Sequence, residues 1–86
     1  MIKQEPNKNI IEKIILLFNK KKYLEALDLS NKTINDFPDS ILINNISGVI
    51  HTELKNYTLA KNLFIKVINL NPKYNDGYYN LANIYS

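Results

Sequence analysis

Residues 41–74 read ILINNISGVIHTELKNYTLAKNLFIKVINLNPKY, and one constant offset lays the rest of the chain's punctuation over theirs. Tyr23 falls on Tyr57, Ala26 on Ala60, and Pro38 on Pro72. Asn44 then falls on Tyr78, Gly48 on Ala82, and His51 on Tyr85. Large residues meet mostly large ones, small meet small, and proline meets proline. A fixed period of this length is the signature of a helical repeat array.

The apolar spacing agrees with helices throughout. Ile10, Ile11, Ile14, Ile15, Leu17 and Phe18 recur at helical intervals, and Asn9 with Glu12 is the expected cap. The run Asn19-Lys20-Lys21-Lys22 interrupts the pattern. A second helix carries Tyr23, Ala26, Leu27, Ser30, Thr33 and Ile34, and stops near Asp36 because Pro38 disfavours helical geometry at Phe37. Asp39 or Ser40 caps a third, with Ile43, Ile46, Val49, Ile50 and Leu54. Lys55-Asn56 forms the next turn. A fourth helix holds Tyr57, Ala60, Leu63, Phe64, Val67 and Ile68 and ends at Asn71-Pro72. Asn75-Asp76 opens a fifth, with Tyr78, Leu81, Ala82 and Tyr85. No stretch alternates with the period of a half-buried strand. Gly48 lies inside the third helix, where glycine costs about 1 kcal/mol relative to alanine. Close approach of a neighbouring helix is the expected compensation.

Composition narrows the function classes. Eighty-six residues make one small domain. There is no cysteine, so disulfides and cysteine-held metals are excluded. The net charge is +3, carried by lysine without any arginine. Arginine supplies the bidentate contacts of most nucleic-acid readers, so no nucleic-acid partner is expected. The polar start Met1–Asn7 lacks a signal-peptide core, and apolar runs are far too short to span a bilayer. We therefore expect no membrane partner and a cytoplasmic location. In that setting the sequons Asn31-Lys32-Thr33, Asn45-Ile46-Ser47 and Asn56-Tyr57-Thr58 stay unmodified.

Gly48, Tyr57, Ala60, Phe64 and Pro72 carry the spacing of a tetratricopeptide repeat, and the chain resembles that family. Tyr78-Tyr79-Asn80-Leu81-Ala82-Asn83-Ile84-Tyr85 resembles the first helix of a further repeat. Residues 7–40 resemble a degenerate first repeat, 41–74 a full one, and 75–86 the opening of a third. Lys13-Ile14 replaces the usual Leu-Gly, and Asn44, Ser47 and His51 depart from the usual larger side chains. The resemblance implies an all-α solenoid of antiparallel helix pairs, a superhelix of about five helices. Tyr57, Tyr78 and Tyr85 would then sit in the core. Its first helices would line a concave groove for a peptide or partner helix. Read from helix geometry and this resemblance, the groove residues are Ile11, Ile15, Phe18 and Asn19, then Leu42, Asn45, Val49, Thr52 and Glu53, then Asp76, Tyr79 and Asn83. One subclass clamps a C-terminal carboxylate with groove lysines and asparagines. Ile11 and Ile15 stand where its first-repeat lysine and asparagine are needed, so that clamp is not expected.

No catalytic constellation accompanies this pattern. There is no glycine-rich phosphate loop and no paired acid and base. His51 is the single histidine and stands where a packed tyrosine is usual, so a packing role is expected rather than a metal. Lys20-Lys21-Lys22 reads as a solvated turn. The expected function is protein or peptide binding without a cofactor. The alternative is the N-terminal region of a larger glycosyltransferase or sulfotransferase, whose asparagine-bearing repeats Asn80 and Asn83 resemble. The apolar face of the fifth helix lacks a following helix. We expect it to leave an open patch, from truncation of a longer array, and to support weak self-association.

Overall fold

The computed structural model describes residues 5–86. The opening Met1–Gln4 of the polar start lies outside the described residues. Five α-helices follow in order: α1 (Lys8–Asn19), α2 (Tyr23–Asp36), α3 (Ile41–Glu53), α4 (Tyr57–Leu70) and α5 (Asn75–Tyr85). Among the described residues there is no strand. Each helix packs on the next, most extensively α3 on α4. The odd-numbered helices also touch in sequence, α1 on α3 and α3 on α5, while no such approach joins α2 and α4 among the described residues. The odd helices therefore share one layer, and the even helices lie against its back.

The period of the sequence is written into the backbone itself. α2 and α4 have equal lengths and start at the matched residues Tyr23 and Tyr57. The turns before them are superimposable in their bonding. Lys21 N–H donates to Phe18 O at 2.9 Å and Lys22 N–H to Leu17 O at 2.9 Å. The equivalent bonds run from Lys55 N–H to Thr52 O at 3.0 Å and from Asn56 N–H to His51 O at 2.8 Å. Both are Schellman closures, in which a left-handed residue lets the chain satisfy the last helical carbonyls. That residue is a lysine each time, Lys21 at φ 62° and Lys55 at φ 64°. A side chain in this region costs roughly 1–2 kcal/mol that glycine avoids. The lysine run is thus a specific backbone device as well as a solvated turn.

The starts of α3 and α1 are secured by side chains. Ser40 Oγ accepts from Ile43 N–H at 3.0 Å, as the sequence suggests for α3. At α1 the cap is Asn7, whose Oδ1 accepts from Asn9 N–H at 2.7 Å, so Asn9 is the capped residue and not the cap. Glu5 adds a contact that periodicity does not reveal. Its carboxylate accepts from Ile41 N–H at 2.9 Å and from Ser40 Oγ, at the positive end of α3. Pro6 beside it is buried.

The core holds Ile14, Ala26, Ile43 and Ile50, with Ala60, Phe64 and Val67 closing the second helix pair. Gly48 answers its sequence-level puzzle. A Cβ there would collide with Cε1, Cζ and Cδ1 of Phe64, so the ring occupies the volume that glycine vacates. Gly77 serves α5 similarly, with Val67 Cγ1 and Ile68 Cγ1 each 3.1 Å from such a Cβ. The three departures from larger side chains in α3 all have partners. Asn44 Nδ2 donates to Ser40 O at 2.7 Å and Pro38 O at 3.0 Å, pinning the turn before α3. Ser47 Oγ bonds Ser30 Oγ, joining α3 to α2 in the interior. His51 Nδ1 lies 3.3 Å from Asn56 Nδ2, and partial burial lowers its pKa.

Three tyrosines depart from the expected core. Tyr57 and Tyr78 are each 47% exposed and Tyr85 is 69% exposed. Tyr23 explains Tyr57 by contrast. It packs its ring on Phe18 at a centroid distance of 5.2 Å, whereas the position equivalent to Phe18 in the second pair is the short Thr52. Tyr78 and Tyr85 lie on α5, which among the described residues packs on α3 and α4 alone and leaves both rings largely uncovered.

Candidate functional site

The layer of odd helices carries two adjoining cavities. The first, of about 110 Å³, lies between α1 and α3 and is lined by Ile15, Phe18, Ile46 and Val49. Every lining side chain is apolar. The second, of about 130 Å³, lies between α3 and α5 and is lined by Val49, Thr52, Glu53, Asn80 and Asn83, with Phe64 at its base. Val49 belongs to both, so the cavities form one track across three helices.

Helical spacing explains this convergence. Val49, Thr52 and Glu53 lie within about one turn of α3 and share a face. Ile15 and Asn83 hold the positions equivalent to Val49 in α1 and α5, and Phe18 holds that of Thr52. Lateral packing of the odd helices sets these equivalent faces side by side. The track therefore changes character along its length, from apolar side chains on α1 to amides on α5. Asn80 Nδ2 donates to Asn45 Oδ1 at 2.9 Å and bridges α5 to α3 beside the second cavity. Thr52 Oγ1 donates to Gly48 O at 2.8 Å, which directs its hydroxyl hydrogen inward and leaves lone pairs for a ligand donor.

Six of the twelve residues expected to line a groove thus meet along the track: Ile15, Phe18, Val49, Thr52, Glu53 and Asn83. Asn45 borders it through Asn80. Ile11 instead packs half-buried against the core. Asn19, Leu42, Asp76 and Tyr79 are exposed and line neither cavity. Ile46, Asn80 and Phe64 line the track beyond the expected set. Ile46 and Asn80 lie one full period apart and occupy one register, so the repeat alignment itself contains the signal for both.

Charge is distributed unevenly around this site. Glu12, Glu25, Asp28 and Asp39 each lie within ion-pair distance of a lysine. Among the described residues neither Glu53 nor Asp76 enters an ion pair, and no lysine lines either cavity. Next to Asp76, Tyr74 has its pKa raised by burial and then by the negative charge of Asp76.

A larger but open cleft of about 460 Å³ lies on the other side, between α1 and α2, lined by Lys13, Leu17, Leu24, Asp28, Leu29 and Lys32 among others. Its equivalents in the second pair include Ser47 and Lys66. Ser47 bonds Ser30 of α2, and Lys66 Nζ donates to Pro38 O at 2.6 Å in the turn after α2. The equivalent face of the second pair is thus covered by α2 and the turn that follows it, whereas the cleft on α1 and α2 is open. Among the described residues no group of histidines and acids could hold a metal ion, and no helix is long and apolar enough to cross a membrane. No protein-family model matches the chain, and no curated protein or solved structure matches it.

Proposed function

We propose that the chain is a tetratricopeptide-type stack of helix pairs whose work is binding, with an extended peptide or partner helix lying along the odd helices. The observation that carries this reading is the track shared through Val49, which places side chains of α1, α3 and α5 on one face. Its lining is apolar at the α1 end and carries convergent polar groups at the α5 end, a combination suited to recognition. No acid, base and nucleophile converge there, so the reading is one of recognition without chemistry. Calorimetric titration with a library of short peptides tests it. Tyr79→Ala with Asn45→Ala should weaken binding while the melt stays cooperative, because Tyr79 is exposed one helical turn before Asn83 on α5 and Asn45 holds Asn80. Unchanged affinity in that double variant would move the site elsewhere.

Self-association belongs to the same proposal. Tyr78, Ala82 and Tyr85 leave an exposed face on α5, with Lys61 Nζ 5.9 Å above the Tyr85 ring. Such a patch favours weak contact between copies at high concentration. Sedimentation that is strictly monomeric over a wide concentration range would remove this part.

A further inference from the structure

We infer that the track selects an extended segment carrying a bulky apolar side chain and, about two residues away on the same edge, a lysine or arginine. This rests on the binding reading above and adds the chemistry of the partner.

The apolar requirement follows from the first cavity. Ile15, Phe18, Ile46 and Val49 offer a ligand no side-chain hydrogen bond, so a polar group there would be desolvated without a partner. The basic requirement follows from the second. Glu53 is the one ionisable residue lining either cavity, and it is exposed and free of ion pairs among the described residues. The chain as a whole is positive, yet among the described residues no lysine lines either cavity. α3 ends at Glu53, so the negative end of its dipole adds to the carboxylate. A cationic side chain is the complement of that corner, and an acidic one would meet repulsion.

Spacing converts the two requirements into a motif. Glu53 lies one helical turn beyond Val49, roughly 6 Å along the helix axis. In an extended chain, side chains on one edge recur every second residue, about 7 Å apart. For a segment running parallel to α3, an apolar residue seated against Val49 therefore brings the second residue along to Glu53. The amides of Asn80 and Asn83 flank that interval and can take up the ligand backbone.

Synthetic peptides test this, holding a leucine in a neutral background and varying the second residue along among lysine, glutamate and alanine. For the intact chain we expect lysine to bind about two- to fivefold more tightly than alanine, as for an exposed ion pair. Glutamate should bind least well, and added salt should shrink the difference. Glu53→Lys should reverse the order, and Ile15→Ser should weaken all leucine peptides alike. If peptides bind and respond to the Tyr79 and Asn45 changes, but the lysine preference is absent or survives Glu53→Lys, this inference falls and the binding reading stands. If no peptide binds, or binding ignores Tyr79 and Asn45, both fall.

Discussion

The helix pairs α1–α2 and α3–α4 share one turn geometry and place their large and small residues in opposite ways. Their turns match bond for bond, with Lys21 and Lys55 in the same left-handed conformation. In the first pair the large residue is on the first helix, Ile14, and the small one on the second, Ser30. In the second pair the equivalent positions are Gly48 and Phe64, so large and small have changed sides. All four are buried. The comparison teaches that aligned positions of the two pairs can exchange a large and a small side chain; Phe64 fills the space beside Gly48, while Ser30 turns its hydroxyl to Ser47 of α3.

The largest effect should come from breaking that exchange. Phe64→Ala leaves a cavity beside Gly48 and should destabilise by about 3–5 kcal/mol in chemical melts. Gly48→Ile alone should also be severely destabilising, because the Phe64 ring already occupies the space. Gly48→Ile combined with Phe64→Ser copies the arrangement of the first pair and should recover a substantial part of the loss. A double variant no more stable than the sum of the single losses would show that the two positions do not share one volume.

A smaller effect, of opposite sign, should come from the turns. Lys21→Gly and Lys55→Gly each relieve a left-handed side chain, offset by glycine's greater freedom in the unfolded chain. We expect a net stabilisation of about 0.5–1 kcal/mol at each site. Similar gains at both would support the equivalence of the two turns, and a gain at only one would limit it.

The smallest effect concerns His51, which stands where the first pair has Leu17. Burial lowers its pKa below the ordinary 6.5, so the unfolded chain takes up a proton first as pH falls. This contribution to stability is complete above 6.5 and declines as pH drops below it. Melts compared between neutral and mildly acidic pH should show a shallower decline in His51→Gln. An unchanged slope would assign the dependence to other groups.

These contrasts also separate what the sequence makes legible from what it hides. The ends of α2 and α4 are legible because Pro38 and Pro72 punctuate them. Gly48 announces a close approach because nothing else offsets its cost inside a helix. The left-handed turns are hidden, since lysine carries no signal for that conformation. Tyr57 reads as core and is half exposed for a related reason. Its burial depends on a partner at the position matching Phe18, and Thr52 is too short to provide one. Glu5 escapes a periodic reading because a lone carboxylate ahead of a helix has no period. At the candidate site, spacing finds the face of α3 but not its depth. Leu42 and Tyr79 lie on the helices expected to line a groove, yet the lining from α3 begins at Ile46 and that from α5 at Asn80.

The most direct test is a residue-by-residue map of where a ligand lands. With the chain isotopically labelled and a peptide pool added, amide resonance shifts should cluster at Ile15, Phe18, Ile46, Val49, Asn80 and Asn83. Shifts concentrated instead on Lys13, Leu24 and Lys32 in the opposite cleft, with the odd-helix track silent, would contradict the proposal that this face is the binding site.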